Sequence, residues 1–227
     1  EWRGGIGRLM ETALPDEAEA LLAPYLDAVR AFNPQRDPEG GVRHYPGSPL
    51  VARHLMRESD RLTAIELHPQ DGLALKQRFA GDWQVRVIAL DGWLALGAHV
   101  PPKEKRGLVL VDPPFEKEGE FGRLADGLVK AHRRWPGGTY ALWYPVKDHA
   151  AVEAFRDRLN ATGIAKMLDI VLEIRPPSTE PRLDGCGMVV VNPPYVLEQE
   201  MAVLLPVLRD AMGENGARAQ TRWLTRQ

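Results

Sequence analysis

The feature that most limits what this chain can fold into is a regular alternation of short apolar runs and helix-patterned segments. Leu62 to Leu67, Gln84 to Leu90, Gly107 to Val111 and Thr139 to Tyr144 read as strands. Pro49 to Glu58, Pro69 to Phe79, Phe121 to Trp135 and Ala150 to Leu159 read as the helices among them. Apolar strands separated by amphipathic helices predict an α/β fold, a mostly parallel sheet covered on both faces. Two later strands, Met167 to Ile174 and Met188 to Val191, follow one another with no helix between, which predicts an antiparallel pair at the sheet's edge. Glu198 to Met212 is the last long helix, with Pro206 placed to kink it. The first third is helical: Leu21, Leu22, Tyr25, Leu26, Val29 and Phe32 share one face, and Asn33-Pro34 with the Asp37 to Gly41 stretch ends it.

A chain of 227 residues suits one such domain with a small appended piece. No run approaches the roughly 20 apolar residues that span a bilayer. With no signal-peptide or lipidation pattern, a cytoplasmic protein is the expectation. A single cysteine, Cys186, excludes an internal disulfide and a cysteine-based zinc site, so no metal is expected. A net charge of −2 argues against coating nucleic acid by bulk attraction but leaves room for local basic patches. Candidates are Lys103, Lys105 and Arg106, then Arg133 and Arg134, then Arg175 and Arg182; solvated loop charge is the alternative for each.

In open α/β sheets ligands bind beyond the carboxyl ends of the strands. Three successive strands here end in an acid: Glu66, then Asp91-Gly92, then Asp112 in Asp112-Pro113-Pro114-Phe115. A nucleotide cofactor accounts for the series. The first acid can accept hydrogen bonds from ribose hydroxyls, the second can hold an adenine amino group, and the third faces the reacting atom. The competing reading is that each acid merely caps the helix that follows it.

An Asp/Asn/Ser-Pro-Pro-aromatic turn after an apolar strand is the signature of methyltransferases that act on exocyclic amino groups of bases. The chemistry explains the residue types. The lone pair of such an amine is delocalised into the ring. A side-chain oxygen and a backbone carbonyl that accept its two hydrogens let the nitrogen pyramidalise. Prolines offer no N–H and stiffen the turn, and the aromatic ring gives an extruded base a face to stack on. A second match, Asn192-Pro193-Pro194-Tyr195, fits the bare pattern equally well. Asp112 is preferred because it completes the series with Glu66 and Asp91, whereas Asn192 follows the strand pair and reads as a turn that starts the last helix.

These motifs make the chain resemble the RlmJ family of bacterial 23S rRNA adenine-N6 methyltransferases. The resemblance runs over nearly the whole sequence. It includes His44 to Leu50 (His-Tyr-Pro-Gly-Ser-Pro-Leu), Glu66 to Pro69, Asp91-Gly92, Gly107 to Phe115, Gly138 to Pro145 and Asn192 to Tyr195. It implies a class I S-adenosylmethionine (SAM)-dependent methyltransferase, with a Rossmann-like sheet, helices on both faces and a small helical insertion. By resemblance, residues 1–43 are that insertion, which helps grip RNA, and residues 44–227 are the methyltransferase domain. Ser48, Glu66, Asp91, Gly92 and Asp112 would contact SAM. Asp112 would be the catalytic acceptor, aided by Pro113 and Phe115, and 23S rRNA would be the partner of a monomer. Phe115 stands where the family more often has tyrosine, which keeps stacking and loses a hydroxyl. The family begins with a His-rich segment ending in Lys-His, then a strand and a Gly-rich turn that meets the methionine part of SAM. Neither stands in this sequence, so the resemblance implies an N-terminally incomplete chain whose sheet lacks a central strand. Two other functions compete: a DNA adenine-N6 methyltransferase, and a non-catalytic nucleic-acid-binding protein linked to the use of external DNA.

Overall fold

A computed structural model describes residues 4–33, 42–104, 106–177 and 182–226. The Asp37 to Gly41 breakers, Lys105 and the middle of the loop between Arg175 and Arg182 lie outside them. The chain divides into two compact units, Glu1–Ala95 and Leu96–Gln227.

The first unit opens with α1 (Ile6–Glu11) and α2 (Asp16–Ala31). The inner face of α2 is Ala18, Leu22, Leu26 and Val29, all buried, as their three- and four-residue spacing requires. Asn33 closes this helix: its side-chain amide donates to Val29 O and His44 O, while its oxygen accepts from Arg43 N and His44 N. After α3 (Ser48–Leu55) come β1 (Leu62–Ile65), α4 (Pro69–Arg78) and β2 (Val85–Ile88). The two strands pair in parallel, Leu62 against Val85 through Ile65 against Ile88. Buried Gln84 knits the turn before β1 by donating to the carbonyls of Arg57, Glu58 and Asp60. An Arg53–Asp82 ion pair of 2.6 Å ties α3 to the turn before β2.

A short helix, α5 (Gly92–Ala98), leads into the second unit. There a five-stranded sheet is formed by β3 (Leu108–Val111), β4 (Thr139–Val146), β5 (Met167–Glu173), β6 (Gly185–Val191) and β7 (Arg218–Thr225), in the order β3-β4-β6-β5-β7. Only β3 and β4 pair in parallel; β6 runs antiparallel to both β4 and β5, and β7 antiparallel to β5. The predicted β5–β6 pair is present, but it does not form the edge. The edge belongs to β7, a strand that alternates exposed Arg218, Gln220 and Arg222 with half-buried Ala219, Thr221 and Trp223. Among the described residues β3 has no strand on its outer side, and Leu108 and Leu110 stand exposed there.

Helices α6 (Glu120–Arg134) and α7 (His149–Ala161) pack on each other, with α6 also against β4 and α7 against β7. Helix α8 (Leu197–Met212) packs on β5 and β7. Met167, Leu168 and Asp169 are consecutive on β5 and all fully buried, so both faces of that strand are covered. The most deeply buried carboxylate among the described residues, Asp169, is held by a network. Tyr144 Oη donates to Asp169 Oδ1 at 2.6 Å, Arg156 Nε donates to Asp169 Oδ2 at 2.8 Å, and Arg156 Nη2 donates to Tyr144 Oη at 3.1 Å. Glu153 pairs with Arg156 at the rim, and Arg222 of β7 reaches the same Glu153. Burial pushes the Asp169 carboxyl above its ordinary range, against the opposing pull of the Tyr144 hydroxyl and the Arg156 guanidinium. The network therefore fixes α7 to the sheet by satisfying a charge that could not otherwise be buried. Gly187 faces Tyr144 across the ladder, and a Cβ there would lie 2.1 Å from the tyrosine ring, so only glycine admits this network.

Candidate functional site

The acids found at the strand ends fall into both units. In the first, Glu66 directly follows β1 and Asp91 follows β2 by three residues, so the parallel register places both at the same, carboxyl end. Each uses one oxygen locally. Glu66 Oε1 accepts from His68 N at 2.7 Å, and Asp91 Oδ1 accepts from Trp93 N at 2.7 Å in the first turn of α5. The capping role weighed against a cofactor role is thus real for Asp91, but it occupies a single oxygen. No other hydrogen bond to either carboxylate exists among the described residues. Two half-buried acids with free oxygens at one end of the strand pair are the acceptors that ribose hydroxyls and an adenine amine require, so the residues fit the adenosine portion of SAM. Gly92 is exposed beside Asp91, and Ser48 is exposed at the first turn of α3, where Gly47 O accepts the amides of Leu50 and Val51.

In the second unit Asp112 follows Val111 at the carboxyl end of β3; Val111 pairs with Leu142, midway along β4. Its carboxylate accepts no hydrogen bond among the described residues, and neither Pro113 nor Pro114 offers a carbonyl that is already bonded there. Although Asp112 is exposed, partial desolvation by the surrounding chain raises its carboxyl above the usual carboxylate range. Pro113 is buried and Phe115 half-buried, so the turn is clamped from below while its polar groups stay open. Phe115 has φ +52°, in the left-handed region that a bulky residue rarely enters. Such strain persists where surrounding packing fixes it. Here Phe121 meets the ring edge-on at a centroid distance of 4.9 Å, and Trp143 does so at 5.9 Å. Phe121 continues this aromatic group to Phe155 and Tyr144, at 5.1 and 6.3 Å, which joins the turn to the buried network. Cys186, half-buried on β6, is close by. Burial pushes its thiol up, a hydrogen bond from Trp143 pulls it down, and the Asp112 charge raises it again.

The rival motif is differently placed and differently employed. Because β6 is antiparallel to β4, with Val191 opposite Tyr140, Asn192 lies at the amino end of β4. Asp112 lies beyond the other end of the β3–β4 pair. The Asn192 side chain is also committed, its amide donating to Pro136 O and Gly138 O at 2.8 Å each. Its backbone is left-handed, with φ +51°, a conformation asparagine tolerates. Thr139 Oγ1 donates to Asn192 O, and Tyr195 is almost wholly exposed.

A cavity of about 220 Å³ adjoins the Asp112 turn, lined by Phe115, Lys117, Glu120, Phe121, Pro145 and Lys147 among others. Neither Glu120 nor this cavity is legible in the sequence, because an acid in the first turn of a helix is ordinary. Of the basic candidates, Arg134 donates to Val100 O, Arg175 pairs with Glu214, and Arg182 pairs with Asp184, so these three serve the fold. Arg133 remains exposed. No group of three or more potential metal ligands occurs among the described residues, and no helix among them is long and apolar enough to cross a membrane.

A family model described as "Ribosomal RNA large subunit methyltransferase D, RlmJ" matches residues 1–225. The chain is 39% identical over 225 residues to the Escherichia coli (strain K12) ribosomal RNA large subunit methyltransferase J, covering 99% of this chain and 78% of that protein. It is 38% identical over 229 residues to the Haemophilus influenzae protein of the same name, with the same coverage. Among solved structures, protein LPL1258 from Legionella pneumophila superposes with a TM-score of 0.87 at 29% identity, over 98% of this chain and 80% of that one. A probable spermidine synthase from Corynebacterium glutamicum, at TM-score 0.51 and 17% identity over 92% of this chain and 75% of its own, shares the fold.

Proposed function

The chain belongs to the RlmJ family of large-subunit ribosomal RNA methyltransferases, and from that membership we propose that it methylates the N6 amino group of an adenine in 23S rRNA, with Asp112 as the acceptor of the amine's hydrogens. It is a SAM-dependent methyltransferase acting on 23S rRNA, built on a Rossmann-like α/β fold. The observation that carries the N6 assignment is the Asp112 turn: a carboxylate at a strand's carboxyl end, beside proline carbonyls, none of which is hydrogen-bonded among the described residues.

SAM, when bound, supplies an electrophilic methyl group. Glu66 and Asp91 would hold its adenosine portion, with Ser48 and Gly92 against it. At the acceptor, an Asp112 oxygen takes one N–H of the adenine amine and the Pro113 carbonyl takes the other. Both bonds strengthen as the nitrogen gains positive charge, so they favour the transition state over the ground state. Because partial desolvation raises the carboxyl of Asp112, its affinity for the amine's proton is greater than that of a free aspartate. Phe115, braced by Phe121 and Trp143, offers the base a stacking surface. The residues 1–43 form the inserted helical piece that grips RNA, residues 44–227 the methyltransferase domain, and the protein acts as a cytoplasmic monomer.

The test is Asp112→Ala. Transfer should fall at least 100-fold while SAM binding, followed by calorimetry, changes less than tenfold. Turnover within threefold of the parent would remove Asp112 from the mechanism.

A further inference from the structure

Glu120 is the first residue of α6 and is 4% exposed, yet its Oε2 is buried with no hydrogen-bond partner. A carboxylate in a helix's first turn gains from the macrodipole, but that gain needs no burial. Leaving a charged oxygen buried and unpaired is costly, and proteins keep such atoms where a ligand or a working part satisfies them. Glu120 lines the cavity beside Phe115, whose other walls include Phe121 and Pro145. Lys117 and Lys147 stand exposed at its rim and have no ion-pair partner among the described residues. Of the rim acids, Asp148 is engaged in accepting the amides of Ala150 and Ala151, and Glu118 is exposed.

We propose that this cavity receives a nucleobase of the RNA next to the methylated adenine, and that Glu120 reads it through its N–H donors. The proposal rests on the RNA reading above. Phe115, Phe121 and Pro145 give the cavity the apolar, aromatic wall that a planar base requires, and the volume of about 220 Å³ is below the roughly 300–1,000 Å³ of pockets for whole small molecules. Two lysines at the mouth suit the phosphates on either side of an extruded base. Of the charged residues that line it, Glu120 alone is buried, and its carboxylate is an acceptor. Among the four bases, guanine presents two adjacent N–H donors, at N1 and N2, on its Watson–Crick edge, and these match the two oxygens of a carboxylate. Guanine is therefore the base assigned to the cavity, and Glu120 is a specificity residue rather than a participant in transfer.

The experiment measures kcat/KM for methyl transfer to short RNA hairpins carrying the target adenine. Guanine or inosine, which lacks the N2 amine, is placed at each flanking position in turn. With the parent protein, inosine at one flank should lower kcat/KM about tenfold or more. With Glu120→Gln and Glu120→Ala that difference should shrink to less than threefold, chiefly through KM. A helix-start role alone would lower stability without changing base preference. Equal responses of parent and variants to inosine, or no response in either, would overturn the proposal while transfer itself proceeds. Absence of transfer to every RNA would instead overturn the reading on which it rests. Because the parent alone reports the guanine preference, a variant that fails to fold leaves the test decisive.

Discussion

Replacing Asn192 separates the two Pro-Pro motifs. Asn192→Ala deletes two side-chain hydrogen bonds of 2.8 Å, to Pro136 O and Gly138 O. Each is worth roughly 0.5–1.5 kcal/mol net. The substitution also forces alanine to hold φ +51°, which adds about 1–2 kcal/mol for a residue with a Cβ and no local polar compensation. The sum is about 2–5 kcal/mol. For a chain of this size each kcal/mol lowers Tm by roughly 2–4 °C, so a fall on the order of 10 °C is expected in a thermal melt. Asn192→Gly should recover the backbone part, about 1–2 kcal/mol, and leave only the lost hydrogen bonds. Methyl transfer measured well below either Tm should stay within threefold of the parent, because Asn192 lies at the opposite end of the β3–β4 pair from Asp112. A variant that melts normally but has lost transfer would refute this reasoning and make Asn192 the acceptor.

Other outcomes are fixed by the same geometry. Tyr144→Phe keeps the ring packing but strands Asp169 Oδ1 in the core, and it should cost about 1.5–3 kcal/mol in urea denaturation. Gly187→Ala should destabilise further, since its methyl would occupy the Tyr144 ring position; soluble yield and Tm report it. Glu66→Gln should weaken SAM binding in calorimetry with little change in the Asp112-dependent step. Partial desolvation raises Asp112, so its ionised form is lost on acidification at a pH above the roughly 3.9 of a free aspartate. The acid limb of kcat/KM should lie correspondingly high. For stability the sign reverses. The folded chain holds this proton more tightly than the unfolded one, so the Asp112 contribution falls as pH rises through that interval, and Asp112→Asn should abolish the change.

The sequence carried most of the fold because its signals were local. Apolar runs marked β1 to β6, and Pro49, Pro69 and Gly107 punctuated them close to where the elements begin. What escaped were elements whose identity depends on partners. Helix α5 is seven residues starting at a glycine, too short for a period to show. Strand β7 carries a readable alternation, but its outward residues are Arg218, Gln220 and Arg222, which suggest a charged tail until β5 is alongside. Pro206 lies inside α8 without ending it, because packing on β5 and β7 outweighs the missing donor. For the candidate site, residue types singled out Glu66, Asp91 and Asp112, and all three do follow strands, since strand ends are legible. The two Pro-Pro motifs match the bare pattern equally, and what separates them in the structure, strand direction and the bonds that commit the Asn192 amide, depends on partners far away in the chain. Glu120 was invisible because its meaning lies in its burial.

The most direct measurement of the central claim is labelled-methyl transfer from SAM by this protein, offered unmodified 23S rRNA and adenine-containing DNA side by side, with the product nucleoside identified by mass spectrometry. N6-methyladenosine at one adenine of the rRNA, lost with Asp112→Ala, is the predicted result. Label in DNA, at another atom of the base, or in no nucleic acid at all would contradict it.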